Sequence, residues 1–216
     1  MLQAVLWDFG GVLTTSPFEA FNRFEAEHGL PRDLIRRINA TDPETNAWAR
    51  FESSQLSLDE FDRAFEAEAH AAGYSVRGKQ VLELLSGDIR PRMVAALQEC
   101  KRRYKVACLT NNVRSGEGPS MARSPERAAR AAQVMQLFDL VVESSKEGIR
   151  KPNPAFYELA CRRLGISPQD ALFLDDLGIN LKPARQLGMT TIKVVTEDQA
   201  IEELEAVLGI EVPHPA

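Results

Sequence analysis

Ala171-Leu172-Phe173-Leu174-Asp175-Asp176-Leu177-Gly178-Ile179-Asn180-Leu181-Lys182-Pro183-Ala184-Arg185-Gln186-Leu187-Gly188-Met189-Thr190-Thr191-Ile192-Lys193-Val194-Val195 reads as strand, helix, strand. An apolar run over Ala171–Leu174 ends on two acids, a helical pattern follows over Ile179–Leu187, and a β-branched run over Thr190–Val195 closes the unit. Strands that are apolar along their whole length, with a helix between them, belong to a parallel sheet buried on both faces. The same rhythm extends outward. Further strands are predicted over Gln3–Trp7, Lys105–Thr110 and Asp139–Glu143, and helices over Pro91–Tyr104, Pro125–Gln136 and Pro154–Leu164. Each of these three helices opens on a proline, where the missing N–H costs nothing. The fold class is therefore α/β, a doubly wound parallel sheet.

One gap breaks the rhythm. Nearly a hundred residues separate the first strand from the second, far more than one crossover helix needs. Within Ser16–Ser86 no strand pattern stands out, but Phe18, Phe21 and Phe24 recur at helical spacing. Ser57-Leu58-Asp59-Glu60 reads as a capping box opening a helix that carries Phe61 and Phe65. The expected division is an α/β core of residues 1–15 and 87–216, with residues 16–86 as an inserted all-helical cap. Ligands of open α/β sheets bind at the carboxyl ends of the strands, so an insertion after the first strand sits over the site as a lid. Arg114–Arg130 reads as a polar loop running into a helix, and no internal repeat is evident.

The bulk properties exclude several classes of function. The chain has 216 residues and a formal net charge of -5, with no basic run to neutralise phosphates, so neither nucleic acid nor a membrane surface is an expected partner. Cys100, Cys108 and Cys161 form no CxxC pair and read as reduced, buried thiols. No apolar stretch reaches the length of a bilayer span, and no basic segment precedes the first apolar run. A cytoplasmic protein is the expectation; the composition leaves its oligomeric state open.

Four positions at predicted strand ends carry chemistry. Asp8 lies in Leu6-Trp7-Asp8-Phe9-Gly10-Gly11-Val12-Leu13, where a carboxylate aimed into a crevice and ordinary turn chemistry both fit. Thr110-Asn111-Asn112 offers a hydroxyl and amides to phosphate oxygens, or caps a helix. Lys151, in Gly148-Ile149-Arg150-Lys151-Pro152-Asn153-Pro154, is by itself an ordinary solvated charge. Asp175-Asp176 is the most informative singly, because adjacent acids at the end of a buried strand repel unless a cation or a cap relieves them.

Taken together, in this order and spacing, the four resemble the signature motifs of the haloacid dehalogenase-like hydrolases. Phe173–Met189 in particular is similar to the N-terminal phosphatase domain of soluble epoxide hydrolase and its relatives, as are Gly148–Tyr157 and Thr196–Gly209. The resemblance covers essentially the whole chain and is weakest in the cap. It implies a Mg²⁺-dependent phosphatase acting on a small phosphorylated metabolite, with Asp8 as the nucleophile that forms an aspartyl-phosphate. It further implies Mg²⁺ held by Asp8, the Gly10 carbonyl and Asp176, with Asp175 orienting the shell or a metal-held water. Lys151 would balance the charge of Asp8 and phosphate, while Thr110 and the amides around Asn111 and Gly11 hold the transferred group.

The chain departs from its family at Gly10. Phosphatases of the family place a second aspartate there, which protonates the leaving oxygen and then activates water. Losing a general acid–base typically costs about 10²–10⁴ in rate. Two alternatives follow: a non-catalytic phosphate-binding or regulatory protein that keeps the fold, or a carbon–halogen or carbon–phosphorus hydrolase. Phosphonate hydrolysis would want a cap lysine for a Schiff base, and Lys79 is the only lysine there. His28, His70 and His214 read as surface or partly buried histidines, Trp7 as core, Trp48, Phe51, Phe61 and Phe65 as cap core, and Arg102-Arg103 as a helix-terminal charge pair.

Overall fold

The computed structural model describes residues 1–85, 87–112 and 125–213. The readings of residues 113–124 as a polar loop and of His214 as a tail residue lie outside them. Strand β1 (Ala4–Trp7) leads into five helices, α1 (Pro17–Glu27), α2 (Leu34–Ala40), α3 (Ala47–Glu52), α4 (Leu58–Ala71) and α5 (Gly78–Glu83). There follow α6 (Pro91–Lys101), β2 (Lys105–Thr110), α7 (Pro125–Met135), β3 (Leu140–Glu143), α8 (Ser144–Glu147) and α9 (Pro154–Leu164). The last elements are β4 (Ala171–Asp175), α10 (Gly178–Gln186), β5 (Thr190–Lys193) and α11 (Glu197–Leu208).

The five strands form one parallel sheet in the order β3-β2-β1-β4-β5. Successive residues of β1 face opposite ways. Val5 and Trp7 join the apolar layer under α6, α7 and α11, whereas Ala4 and Leu6 join the layer under α9 and α10. All four are fully buried, which is why the strand reads as unbroken apolar sequence rather than an alternation. The chain runs β1, β2, β3 to one side and then returns to place β4 on the other. The carboxyl ends of β1 and β4 thus flank the point where the winding reverses, the place where such sheets bind ligands.

Helices α1 to α5 pack on an apolar cluster of their own, built on Phe21, Ile35, Phe51, Phe61 and Phe65. The predicted capping box is present: Glu60 N–H donates to Ser57 Oγ at 3.3 Å, and Ser57 N–H donates to Glu60 Oε2 at 2.8 Å. The two ends of this helical body meet in a short antiparallel bridge between Thr14 and Ile89.

Most predicted boundaries hold to within one residue, and two shift further. The helix expected to reach Tyr104 ends at Lys101, where the last turn tightens to three-residue bonds, Arg102 N–H donating to Glu99 O at 3.2 Å and Arg103 N–H to Cys100 O at 3.0 Å. The strand expected to reach Val195 stops at Lys193, and Val195 is exposed. Among the described residues, no helix is long and apolar enough to cross a membrane.

Candidate active site

The turn after β1 is closed by main-chain bonds. Asp8 N–H still donates to Leu174 O of β4 at 2.9 Å, and Phe9 O then accepts from Leu13 and Thr14 at 2.9 and 3.2 Å. The two glycines differ in what they are for. Gly11 has φ +77, and a Cβ there would lie 2.3 Å from Asp176 Oδ2. Only glycine fits that backbone and that approach. Gly10 has no such constraint: a Cβ would meet nothing within 4 Å. Gly11→Ala is expected to push Asp176 aside, to cost about 1–3 kcal/mol in left-handed strain and displacement, and to abolish divalent-cation binding; calorimetric titration with Mg²⁺ alongside thermal melting checks both effects.

Lys151 is not a solvated charge. It is 1% exposed, with Nζ 2.8 Å from Asp8 Oδ1 and 2.7 Å from Asp175 Oδ2. The lysine thereby joins the ends of β1 and β4. Asp175 is wholly buried and also accepts from Leu177 N–H at 2.8 Å and from Asn180 Nδ2 at 3.0 Å to Oδ2 and 3.1 Å to Oδ1. Asn180 is held in turn by Tyr157, whose hydroxyl donates to Asn180 O at 2.7 Å. Asp8 keeps fewer partners, its Oδ1 accepting from Phe9 N–H at 2.7 Å besides the lysine.

Oxygens of Asp8, Asp175 and Asp176 all lie within 4.8 Å of one another. Against three carboxylates stand one paired ammonium and the weaker influence of the Arg90 guanidinium on Asp176, and the electrostatics record the imbalance. Burial pushes the Asp8 carboxyl up to about 8, with Asp175 and Asp176 adding to the rise and Lys151 opposing it. Burial, then Asp175, pushes Asp176 up to about 7. Burial alone would lower the Lys151 ammonium, but Asp175 and Asp8 more than offset it and hold its pKa above the usual lysine range. A close set of hard oxygens with excess negative charge and resistance to ionisation fits a small divalent cation such as Mg²⁺, which would relieve the repulsion.

The remaining predicted residues border this centre. Thr110 ends β2 and is 3% exposed. Asn111 spends its side chain on Lys151, accepting from its N–H at 2.9 Å and donating to its carbonyl at 3.0 Å. Asn112 is committed to the end of β3, donating from Nδ2 to Glu143 Oε2 at 2.8 Å and from its main chain to Ser144 Oγ at 3.0 Å. Gly11 N–H points to Thr14 Oγ1 at 3.3 Å. Four residues here escaped the sequence reading: Asn180, Tyr157, Arg90, whose guanidinium donates to Gly11 O at 3.0 Å, and Glu52. Asn180 alone left a local trace, an amide in the first turn of the helix following the paired acids.

The residues set aside in the sequence lie elsewhere. Lys79 is ion-paired with Asp59 at 2.7 Å on the surface of the helical body. His28 stacks on Phe24 at 4.0 Å, Trp7 is fully buried, and Trp48, Phe51 and Phe61 form one aromatic cluster. Arg102 pairs with Glu99 at 3.0 Å.

Known proteins resemble this chain in sequence and in fold. The family model for haloacid dehalogenase-like hydrolases matches residues 2–188. Acyl-CoA dehydrogenase family member 10 of Mus musculus is 34% identical over 96% of the chain, and bifunctional epoxide hydrolase 2 of Sus scrofa 30% identical over 97%. The chain spans only 19% and 39% of those two proteins. A phosphatase of Mycobacterium tuberculosis is 30% identical, the match covering 97% of this chain and 96% of that protein. Among solved structures, a Bacteroides thetaiotaomicron enzyme of the family, in complex with magnesium and inorganic phosphate, matches at TM-score 0.58 and 20% identity over 89% of this chain and 94% of that one. The L-2-haloacid dehalogenase of Xanthobacter autotrophicus matches at TM-score 0.60 and 18% identity over 98% and 85%. With the buried lysine joining two strand-end acids, and with the family's model covering the sheet from its first strand past α10, this chain belongs to the haloacid dehalogenase-like hydrolases.

Proposed function

We propose that this hydrolase is a Mg²⁺-dependent phosphatase of small phosphate monoesters that works through an aspartyl-phosphate on Asp8. The observation that carries the reading is Lys151, buried and shared between Asp8 and Asp175 beside the third carboxylate of Asp176. Phosphoryl transfer asks for positioning and charge neutralisation more than for covalent machinery, and this cluster supplies both. The relatives lend support, since one is a phosphatase and one structural neighbour was solved with magnesium and phosphate.

Asp8, the Gly10 carbonyl and Asp176 would hold Mg²⁺, with Asp175 fixing Lys151 and orienting the shell. The bound cation would supply neutralisation of the phosphate oxygens. An Asp8 carboxylate oxygen attacks phosphorus, a P–O bond forms, and the ester P–O bond breaks with its electron pair leaving on the alcohol oxygen. Lys151 stays protonated throughout and balances the charge. The amide of Asn111, the amide of Gly11 in exchange for its long bond to Thr14 Oγ1, and the Thr110 hydroxyl are assigned to the transferred group; the side chain of Asn111 is assigned to Lys151 instead. Water then attacks phosphorus, breaking the bond to Asp8 and releasing phosphate. Gly10 offers no proton in either step, so the leaving group draws its proton from solvent.

We assign residues 1–15 and 87–216 to the catalytic core and 16–86 to a cap, a division supported by the separate apolar cluster of α1 to α5 and by the Thr14–Ile89 neck. Three buried unpaired thiols suit a reducing compartment, and we place the protein in the cytoplasm on that ground. The ion-paired, surface position of Lys79 argues against a Schiff-base phosphonate hydrolase. Gly10 favours one competing reading, a phosphate-binding protein without turnover. A panel of aryl and alkyl phosphates assayed with and without Mg²⁺ separates the two: Mg²⁺-dependent release of phosphate is expected, and tight phosphate binding with no release would favour the binding protein. Asp176→Ala should lower Mg²⁺ affinity at least about tenfold, as loss of a carboxylate ligand does, read by calorimetry; unchanged affinity would remove Asp176 from the ligand set.

A further inference from the structure

A polar junction between the helical body and the sheet lies outside the acid–lysine centre, yet it reaches that centre through one side chain. Glu52 is the last residue of α3 and is 6% exposed. Its Oε2 lies 2.8 Å from Arg150 Nε and 3.5 Å from Asn111 Nδ2. The Arg150 N–H is aimed off the line to that oxygen, so the contact is an ion pair rather than a formed hydrogen bond. The same guanidinium donates to Pro43 O at 3.1 Å, seizing the helical body at a second point.

The backbone around Glu52 is tied down as well. Ser144 Oγ donates to Glu52 O at 3.0 Å, and Ser54 Oγ donates to Ser145 O at 2.8 Å. Ser54 takes φ +58, a conformation that non-glycine residues rarely adopt unless their surroundings demand it. The corner is therefore built, with the first turn of α8 bonded both to the end of α3 and to the turn that follows it.

From Glu52 the contacts run on to the catalytic lysine. Asn111 faces the carboxylate with the same Nδ2 that donates to Lys151 O, and its Oδ1 accepts from Lys151 N–H. Both main-chain polar groups of Lys151 are thus held by a side chain that leans on a carboxylate of the helical body. Arg150, the other partner of Glu52, is the residue next to Lys151 in the chain. Stability alone is a poor reason to keep such a charge, because a buried ion pair can often be replaced by apolar packing without loss.

We infer that Glu52 is a positioning residue, through which the seating of the helical body on the sheet sets the main chain of Lys151. With the body seated, Glu52 braces Arg150 and Asn111, and Lys151 Nζ is presented between Asp8 and Asp175. With the body lifted, that brace is absent and the lysine loses its register, so the centre is complete only under its cover. The kinetic consequence rests on the phosphatase reading; the mechanical one does not.

Residue-resolved amide exchange on the whole protein, without metal or substrate, tests the mechanical part. Glu52→Gln keeps the shape and removes the charge. It is expected to speed exchange of the Lys151 amide on the order of tenfold beyond what any fall in global stability accounts for, because that N–H depends on Asn111. Arg150→Gln releases the carboxylate from its other side, should act in the same direction, and serves if the first variant does not fold. With an aryl phosphate and Mg²⁺, Glu52→Gln should lower kcat roughly tenfold at little changed KM, since a displaced charge harms the transition state more than binding, and Glu52→Asp should restore part of it. Faster exchange in α3 with an unchanged Lys151 amide would overturn the inference, as would a faster Lys151 amide with unchanged kcat. If the wild type releases no phosphate from any ester, the phosphatase reading fails, and the Lys151 exchange rate alone decides whether Glu52 braces the lysine.

Discussion

Asp8→Asn is expected to remove phosphatase turnover, by at least about 10⁴-fold, while making the metal-free protein more stable. The loss follows from deleting the attacking atom, whose role no neighbour can take over. The gain follows from crowding: Asp8, Asp175 and Asp176 bring oxygens within 4.8 Å of one another around one lysine. Asparagine removes a carboxyl whose ionisation burial and the two neighbouring acids oppose, and with it the cost of holding that group in the fold, and leaves Lys151 its shorter bond to Asp175. Relief of about 1 kcal/mol would raise the melting temperature roughly 2–4 °C in a chain of this size. Excess Mg²⁺ should shrink that difference, because the wild type then gains from binding a ligand that the variant holds weakly. Melting with and without Mg²⁺ reads the effect directly, and a variant less stable than the wild type in the absence of metal would show that the lysine, not the repulsion, dominates the cluster.

Gly10→Asp is expected to raise turnover of alkyl phosphates by about 10²-fold, the lower end of what a general acid–base contributes. The space exists: a Cβ at Gly10 meets nothing within 4 Å, and its backbone is not among the positive-φ positions. Aryl phosphates should gain less, because their leaving oxygen needs little help from a proton. The ratio of aryl to alkyl rates, high in the wild type, should therefore fall in the variant. A fourth carboxylate beside the cluster should also lower the melting temperature without metal. Equal wild-type rates on aryl and alkyl esters would mean that some other group already supplies the proton. The neighbouring glycine offers no such freedom, since Gly11 is fixed by φ +77 and by Asp176.

What could be read from the sequence was what is local. Lys105–Thr110 is both the predicted and the observed strand, because a run buried on both faces leaves an unbroken apolar signature. The Ser57–Glu60 capping box could be read because its partners stand three residues apart. Asp8, Thr110 and the Asp175-Asp176 pair were legible because each is a polar group closing an apolar run, whereas Lys151, which follows α8, was legible only through the family resemblance. What no local pattern could show depends on partners distant in the chain. Lys151 is buried by Asp175, 24 residues away, and braced by Asn111, 40 residues away, so in its own segment it is indistinguishable from a surface lysine. Tyr157 and Asn180, separated by 23 residues, meet only because α9 and α10 pack on the same face of the sheet. Glu52 carries no local signal, since Arg150 and Asn111 reach it only in the fold.

The central claim is that Asp8 is the nucleophile, and Gly10 makes it unusually accessible to a direct measurement. Without a base to activate water, the acylphosphate on Asp8 should outlive mixing. Mass spectrometry of the protein quenched in acid, after mixing with an aryl phosphate and Mg²⁺, should find one added phosphoryl group, located by peptide mapping to Asp8 and absent from Asp8→Asn. A protein that releases phosphate at the same rate after Asp8→Asn, with no phosphoryl group on the wild-type peptide at any time of quenching, would contradict the account.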